Sequence, residues 1–393
     1  MQTVILAAGR GTRMRPLTET TPKPMLPVAG KPLVARTVEA AAAAGADEIV
    51  LVVGYEGGAV REYFGQRHAG TPIRYATQSE REGTAGAVAA ASEHLEGPFA
   101  VINGDIVFDR ESLADLYAAA PAVGSIRVDD PSNYGVFDVE DGTVTDVVEK
   151  PSDPPGRLAN AGAYAFPQEA LEYLDVPRSE RGEYELTDVL ERVLAGTDVG
   201  HVEFDRWLDV GRPWELLEAN ELALESIETD IRGDVASDAE LEGSVVVEEG
   251  ATVRSGVVVE GPALLRSGAT VGPNAYVRGA TVLGEDVSVG HGVEIKNSVV
   301  MAGTSVGHLS YVGDSVLGRN VNVGAGTNVA NLRHDEEPVR MTVKGERVST
   351  GRRKFGVVLG DDVKTGIDTS LNAGVMLSAG ETTKPGAVVM QDR

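Results

Sequence analysis

The sequence predicts an α/β domain followed by a parallel β-helix of hexapeptide repeats. Three observations carry that reading. Over residues 1–228 short apolar strands alternate with amphipathic helical stretches, the pattern of a largely parallel sheet with helices on both faces. From about residue 229 onward an aliphatic side chain recurs every six residues, as in a solenoid whose small coils each bury one residue per side. At 393 residues the chain also exceeds what one core ordinarily organises. The change of texture therefore divides it into domains 1–228 and 229–393.

Taken in order, Gln2–Leu6 is the first strand, and Glu48–Val53, Ile73–Thr77 and Phe99–Asn103 are further strands. Residues 32–44, 59–64 and 85–95 read as the helices between them, and residues 213–227 as a last amphipathic helix with Leu216, Leu217, Asn220 and Leu224 at helical spacing. Directly after the first strand comes a loop beginning Ala7-Ala8-Gly9-Arg10-Gly11-Thr12-Arg13-Met14, closed by Pro22-Lys23-Pro24-Met25-Leu26-Pro27. A glycine-bearing loop after a strand presents backbone N–H groups to an anion at close range. Arg13 and Lys23 add fixed positive charge there. The loop is not a dinucleotide fingerprint, because Met14 stands where the third glycine would fall, and no G-K-[ST] makes it a Walker loop.

In the second half Val235, Leu241, Val247, Val253 and their successors keep the period of six through Met301. It slips by one before Val306 and Val312, and slips again before Leu317, Val323 and Val329. Small residues beside the repeated aliphatic permit tight corners. Asn331 to Phe355 carries no hexad and reads as a loop or hairpin leaving the solenoid, an insertion at about 333–355.

The formal net charge is −25, with acidic residues dispersed along the chain. Such a field repels nucleic acid and anionic membranes. There are eight lysines against twenty-seven arginines, a composition like that of proteins from salt-loving microbes, where salt screens self-repulsion. Among those few lysines, Lys23, Lys150 and Lys296 all fall within the site motifs. No cysteine is present, so disulfides and thiolate metal sites are excluded. No apolar run is long enough to span a membrane, and the first strand does not read as a signal peptide. A cytoplasmic, halophilic protein is the expectation.

The loop and its proline-rich close resemble the signature of the sugar-1-phosphate nucleotidylyltransferases. Further segments resemble that family in its order: Gln78-x4-Gly83-Thr84-Ala85, Ile102-Asn103-Gly104-Asp105, Glu149-Lys150-Pro151, Asn160-Ala161-Gly162, and Trp207-Leu208-Asp209-Val210-Gly211. The resemblance implies a Rossmann-like nucleotidyltransferase sheet, with Leu6, Ala8, Gly9, Gln78, Gly83 and Thr84 binding UTP or dTTP. It implies that Gly135, Glu149, Lys150 and Asn160 bind the sugar-1-phosphate. Sugar phosphate would attack the α-phosphorus and release pyrophosphate. The nucleophile is already an anion, so the obstacle is charge repulsion rather than proton removal. Mg²⁺ held by Asp105 and Asp209 would offset that charge, Arg13 and Lys23 would stabilise the transferring phosphoryl, and Lys150 would hold the sugar phosphate for in-line attack.

The β-helix carries a second set. Arg278, Lys296, His308, Tyr311, Asn322 and Asn331 stand in an order that resembles the acetyltransferase half of the bifunctional N-acetylglucosamine-1-phosphate uridylyltransferases. That resemblance implies left-handed coiling, acetyl-CoA as co-substrate, and a homotrimer with acetyltransferase sites between subunits. His308 would take the proton of an attacking amine, since an unperturbed imidazole titrates near about 6.5. Arg278 and Lys296 would grip the acceptor phosphate, and Tyr311, Asn322 and Asn331 would bond the sugar or orient His308. The insertion departs from the bacterial pattern and is similar to one in archaeal bifunctional enzymes. Its Arg352-Arg353-Lys354 run either meets CoA phosphates or forms a solvated basic turn. Two rivals stand beside the bifunctional reading: a glucose-1-phosphate thymidylyltransferase with a purely structural β-helix, and a non-catalytic assembly scaffold.

Overall fold

The computed structural model describes residues 1–54, 57–79, 83–179 and 182–393. The chain forms two compact units that interleave in sequence: Met1–Gly9 with Pro32–Asp209, and Arg10–Lys31 with Val210–Arg393. A boundary at 228 divides residue patterns, whereas these units divide packing. The signature loop and the helix Pro213–Leu224 therefore fall in the same unit as the β-helix.

The first unit is built on a ten-stranded sheet. Its order is Gly135–Glu140, Thr143–Glu149, Gly200–Glu203, Ala122–Arg127, Leu158–Phe166, Phe99–Asn103, Gln2–Ala7, Glu48–Val53, Thr71–Thr77 and Arg67–His68. The strands from Phe99–Asn103 to Thr71–Thr77 are parallel. The expected parallel pairing holds for that core and for Gly200–Glu203 beside Ala122–Arg127. Leu158–Phe166 runs antiparallel to both its neighbours, and Gly135–Glu140 and Thr143–Glu149 form a hairpin. Asp141 and Gly142, both at positive φ, close it, which matches the twist of the flanking strands.

Period-two alternation sorts the central side chains between two helical layers. Val4, Val50, Val52 and Val101 join one core with residues of the helices Gly83–Ala91 and Leu186–Leu194. Thr3, of opposite parity, shares a 3.0 Å hydrogen bond with Tyr117 of the helix Arg110–Ala118, and that helix packs on Leu33–Ala43. The chain leaves the central strand Gln2–Ala7 toward Thr71–Thr77, then returns on its other side as Phe99–Asn103. Open α/β sheets bind ligands outside the carboxyl ends of strands at such a reversal. Here that crevice is lined by Leu6, opposite Asn103 in register, and the residues after them.

In the second unit three parallel sheets of eight, six and eight strands wind as a β-helix. The first face starts at Asp230–Ile231, the second at Asp234–Val235 and the third at Glu240–Glu242. Val247, Leu265, Leu283, Val300, Leu317, Leu359 and Leu377 stack inward on the first face, each at most 1 % exposed. Burial of each stabilises the coil by about 1.5–3 kcal/mol. The coil shortens one residue earlier than the hexads suggest: Val300, not Met301, pairs with Leu283. The residue is lost at the corner Asn297-Ser298, and another at Asp314-Ser315. Asn297 and Asp314 both take the left-handed conformation there, one that Asn and Asp accept more readily than other side chains. Ser298 and Ser315 bond back to the carbonyls of Lys296 and Gly313 at 2.8 and 2.7 Å. The insertion leaves from the same row of corners. It forms an antiparallel hairpin of Arg340–Val343 and Glu346–Ser349, and Phe355 N–H bonds Asn331 at 2.9 Å where the coil resumes. No helix among the described residues is long and apolar enough to cross a membrane.

Candidate active sites

The candidates of the first unit gather at the crevice of the central sheet. Asp105 follows the strand Phe99–Asn103 through Gly104, whose N–H bonds the Leu6 carbonyl at 2.9 Å. A Cβ on Gly104 would sit 2.7 Å from that oxygen, so the chain reaches Asp105 only with glycine before it. A short antiparallel ribbon then pairs Asp209 with Ile106. The two carboxylates, 104 positions apart in sequence, thus end on neighbouring strands. The fit to Mg²⁺ is chemical: Asp105 and Asp209 would offer it hard oxygen donors, the kind that ion prefers. Among the described residues no group of three or more His, Asp or Glu could hold an ion, and one or two carboxylates is what Mg²⁺ usually takes from a protein.

The expected sugar-phosphate residues are also brought together. Gly135 pairs with Glu149 across the hairpin, and a Cβ on Gly135 would lie 3.1 Å from Glu149 Oε2 and 3.4 Å from Asn160 Cβ. Lys150 follows with positive φ, and its Nζ lies 3.3 Å from Glu149 Oε1. Asn160 stands at an irregularity in Leu158–Phe166. It accepts from Gly162 N–H at 2.9 Å and donates to Tyr164 Oη at 2.6 Å. Trp207 ties this bulge to the ribbon that carries Asp209: its indole N–H donates to the Ala161 carbonyl at 2.8 Å. The sequence motif contains Trp207, but nothing in its spacing revealed this bracing role.

For base reading, Gln78 donates from Nε2 to the Gly83 carbonyl at 3.0 Å, which fixes the amide plane and leaves its second proton and its oxygen for a ligand. Gly83 has φ +87, and a side chain there would overlap the Tyr184 backbone. Thr84 Oγ1 accepts from Leu186 N–H at 2.9 Å. Residues 80–82 of this segment lie outside the described residues. Leu6, Ala8 and Gly9 continue the first strand into the crevice.

Arg13 and Lys23 belong to the second unit. The loop folds on itself through Gly11, left-handed at φ 61, where a Cβ would come 2.7 Å from Lys23 Cβ. Thr18 Oγ1 donates to the Gly11 carbonyl at 2.7 Å. Arg13 is exposed, with a guanidinium nitrogen 3.1 Å from the Cβ position of Gly211, in the motif that contains Asp209. Lys23 is only 6 % exposed.

In the β-helix the third face stacks Arg278, Lys296 and Gly313 at one register position on successive coils. Arg278 pairs with Glu294 at 2.8 Å, a hydrogen bond that raises its already high pKa. Lys296 Nζ donates to both oxygens of Asp314 at 2.9 and 2.7 Å. Asn331 Nδ2 donates to Asp314 Oδ2 at 2.6 Å and to Tyr311 Oη at 3.0 Å. Burial and then the negative charges of Asp314 and Glu294 push the Tyr311 phenol upward. Lys296 and Asn331 therefore meet on a carboxylate to which the sequence motifs give no role, and Tyr311 joins them through Asn331. His308 and Asn322 do not join them. His308 lies exposed in the corner between the second and third faces, and Asn322 lies exposed on the second face opposite Ser305. Of the basic run, Arg352 pairs with Glu221 of the helix Pro213–Leu224 through both guanidinium nitrogens, and Arg353 lies 3.7 Å from Glu336. Arg352 is thus a bracing group rather than a solvated turn.

The nucleotidyl transferase family model matches residues 2–226, and the GMPPB C-terminal domain model matches residues 259–385. The chain is 42 % identical to the bifunctional protein GlmU of Methanocaldococcus jannaschii, over 96 % of this chain and 92 % of that one. It is 38 % identical to a bifunctional sugar-1-phosphate nucleotidylyltransferase/acetyltransferase of Sulfurisphaera tokodaii, over 100 % and 98 %. A solved structure of UDP-glucose pyrophosphorylase complexed with UDP-glucose is 27 % identical, with a TM-score of 0.53 over 57 % of this chain and 98 % of that one. A glycine loop at the sheet reversal, two carboxylates on adjoining strands and a hexapeptide β-helix matched end to end by such relatives place this chain in the sugar-1-phosphate nucleotidylyltransferase family.

Proposed function

We propose that the protein is a bifunctional enzyme of nucleotide-sugar synthesis. Its first reaction joins a sugar-1-phosphate to the nucleotidyl group of UTP or dTTP. A phosphate oxygen of the sugar attacks the α-phosphorus, the bond to the β-phosphate oxygen breaks, and pyrophosphate leaves. Asp105 and Asp209 would hold Mg²⁺, which supplies charge neutralisation at the phosphates. Leu6, Ala8, Gly9, Gln78, Gly83 and Thr84 hold the nucleotide, and Gly135, Glu149, Lys150 and Asn160 the sugar phosphate. Arg13 and Lys23 offset charge on the transferring phosphoryl and leaving group.

In the second reaction the amine of an amino-sugar-1-phosphate attacks the thioester carbonyl of acetyl-CoA. The C–S bond breaks, the amine proton passes to His308, and CoA leaves as the thiolate, which takes a proton from the imidazolium or water to become the thiol. Arg278, Lys296, Tyr311, Asn322 and Asn331 bind the acceptor. The observation that favours a working β-helix over a structural one is the buried Asp314 carboxylate held by Lys296 and Asn331, with Tyr311 joined to it through Asn331. A solenoid held by stacked aliphatic residues has no need of a desolvated ion pair at its corner.

The test is a matrix of purified protein in molar salt and Mg²⁺. UTP and dTTP are crossed with glucose-1-phosphate and N-acetylglucosamine-1-phosphate, reading pyrophosphate. Glucosamine-1-phosphate and galactosamine-1-phosphate are each incubated with acetyl-CoA, reading thiol. Both signals are expected. Pyrophosphate without thiol would leave a single-activity enzyme with a structural β-helix, and neither signal would leave a scaffold.

The candidate acetyl-transfer residues of one chain are split, with Arg278, Lys296, Tyr311 and Asn331 at one end of the third face and His308 and Asn322 at its other corner and on the second face. Assembly into a homotrimer, with each site completed between subunits, would unite them. Leu309 beside His308 is 62 % exposed, and Ile367, on the same row of corners, is 55 % exposed. An apolar ridge on so acidic a surface suits association between copies. Light scattering in molar salt, which matches the halophilic composition, should give about three chains per particle. A monomer that releases thiol would refute the shared site.

A further inference from the structure

Asp314 is 3 % exposed and sits at a corner from which the coil has dropped one residue. Besides Lys296 it accepts from Asn331 Nδ2 at 2.6 Å and from Asn297 Nδ2 at 3.1 Å. An ionised carboxylate only accepts, so the Asn331 atom facing it must be the amide nitrogen. That choice decides the next bond. The second proton of the same Nδ2 goes to Tyr311 Oη, which makes the tyrosine oxygen an acceptor there and sends its own proton elsewhere.

On the reading of the β-helix as an acetyltransferase site, we propose that Asp314 is a positioning residue that sets the donor polarity of the acceptor pocket. It holds the Lys296 ammonium at the end of the third face, and through Asn331 it makes Tyr311 a hydrogen-bond donor to the sugar phosphate or its amide product. Burial and the neighbouring negative charges keep Tyr311 a phenol, so it has a proton to give. The shortened corner serves this end: left-handed backbone at Asp314 turns its side chain back across the third face, beside the Lys296 row.

Asn297 extends the cluster. The same Nδ2 that donates to Asp314 donates to Glu221 Oε1 at 2.7 Å, and Glu221 also holds Arg352 at the root of the insertion. The carboxylate of Asp314 is thus ringed by Lys296, Asn297 and Asn331, with Glu221 and Arg352 behind.

Asp314→Asn is the informative variant, because asparagine accepts left-handed backbone and has the same shape. It offers one neutral acceptor in place of two charged ones and lets Asn331 turn over. Acetyl-transfer kcat/KM should fall about 10- to 100-fold, the loss usual when a group orienting a binding residue is removed, with nucleotidyl transfer unchanged. The double variant with Asn331→Ala should cost little more than Asn331→Ala alone, since both break one chain of contacts. Additive losses, or an Asp314→Asn enzyme with wild-type acetyl transfer, would overturn the proposal. A second measurement does not depend on catalysis or on the variant folding. Amine-reactive ester labelling read by mass spectrometry should modify wild-type Lys296 at least about tenfold more slowly than exposed Lys344 and Lys384, because its side chain is 16 % exposed and its ammonium is held by two oxygens. Equal rates would mean that the clamp does not exist in solution. Should wild-type protein release no thiol with any amino-sugar phosphate, the acetyltransferase reading fails by itself, and the labelling still decides whether Asp314 clamps Lys296.

Discussion

Asp209→Ala should abolish pyrophosphate release while the protein still folds and still releases thiol from acetyl-CoA. The substitution removes one of two carboxylates brought near each other in the fold by a single register, Asp209 against Ile106, the residue after Asp105. The backbone hydrogen bonds of that ribbon do not need the side chain, and Asp209 is only partly buried, so stability should change by no more than about 1 kcal/mol. Activity should fall far more. Two polyanions must be brought together at the α-phosphorus, and a divalent ion offsets several kcal/mol of that repulsion. At about 1.4 kcal/mol per factor of ten, losing about 4 kcal/mol lowers kcat about 1,000-fold. Asp105→Ala should behave alike, and the double variant should be little worse than either single one, because both act through one ion. Wild-type turnover that persists in excess EDTA would remove the metal from the mechanism. An Asp209→Ala enzyme with full activity would remove the carboxylate.

How much of this was legible in the sequence differs between the two halves, for physical reasons. Hexad periodicity read the β-helix because every coil repeats the same burial problem, so Val247, Leu265 and Leu283 stand where counting puts them. Counting failed at Met301, where a corner closes with one residue fewer. A period constrains positions that point inward and says nothing about how many residues a turn uses. In the first unit the parallel core was readable from buried aliphatic runs. The antiparallel half was not, although Asp141-Gly142 offered a hairpin signal that strand–helix alternation does not capture. The family resemblance pointed to Asp105, Asp209, Lys296 and Asn331, whose motifs are local. It did not find the brace from Trp207 to Ala161, nor Asp314 as a hub, because a contact between residues 46 or 17–18 positions apart exists only after the chain has chosen its register.

The shortened corners connect fold to chemistry. The corners at 297 and 314 keep the left-handed conformation of the regular corner at Gly279 but close with one residue fewer, and serines bond back beneath them. Both irregularities fall in the two coils that carry Lys296 and Tyr311. A departure from the rule that builds the rest of a domain is where function is to be expected, and here the departure and the candidate residues coincide.

His308→Ala should remove acetyl transfer and leave nucleotidyl transfer at the wild-type rate. The imidazole stands exposed at a corner, so its loss creates no cavity, and in a solenoid each coil contacts mainly its neighbours. The perturbation should therefore stay local, with a melting temperature within a degree or two of wild type. A general base contributes about 100- to 10,000-fold, which is about 3–5 kcal/mol of barrier, and the loss should appear in kcat more than in KM because the ring acts on the proton lost as the N–C bond forms. The nucleotidyl reaction has no such requirement, since its nucleophile is already anionic and its candidate residues, Arg13, Lys23, Asp105 and Asp209, lie on other segments. Thiol release gives the acetyl readout and pyrophosphate the other, on one preparation. A variant that loses both activities would point to misfolding or to a broken assembly, which light scattering distinguishes. If thiol release survives His308→Ala, the proton of the amine leaves by another route and the histidine is a surface residue of the corner.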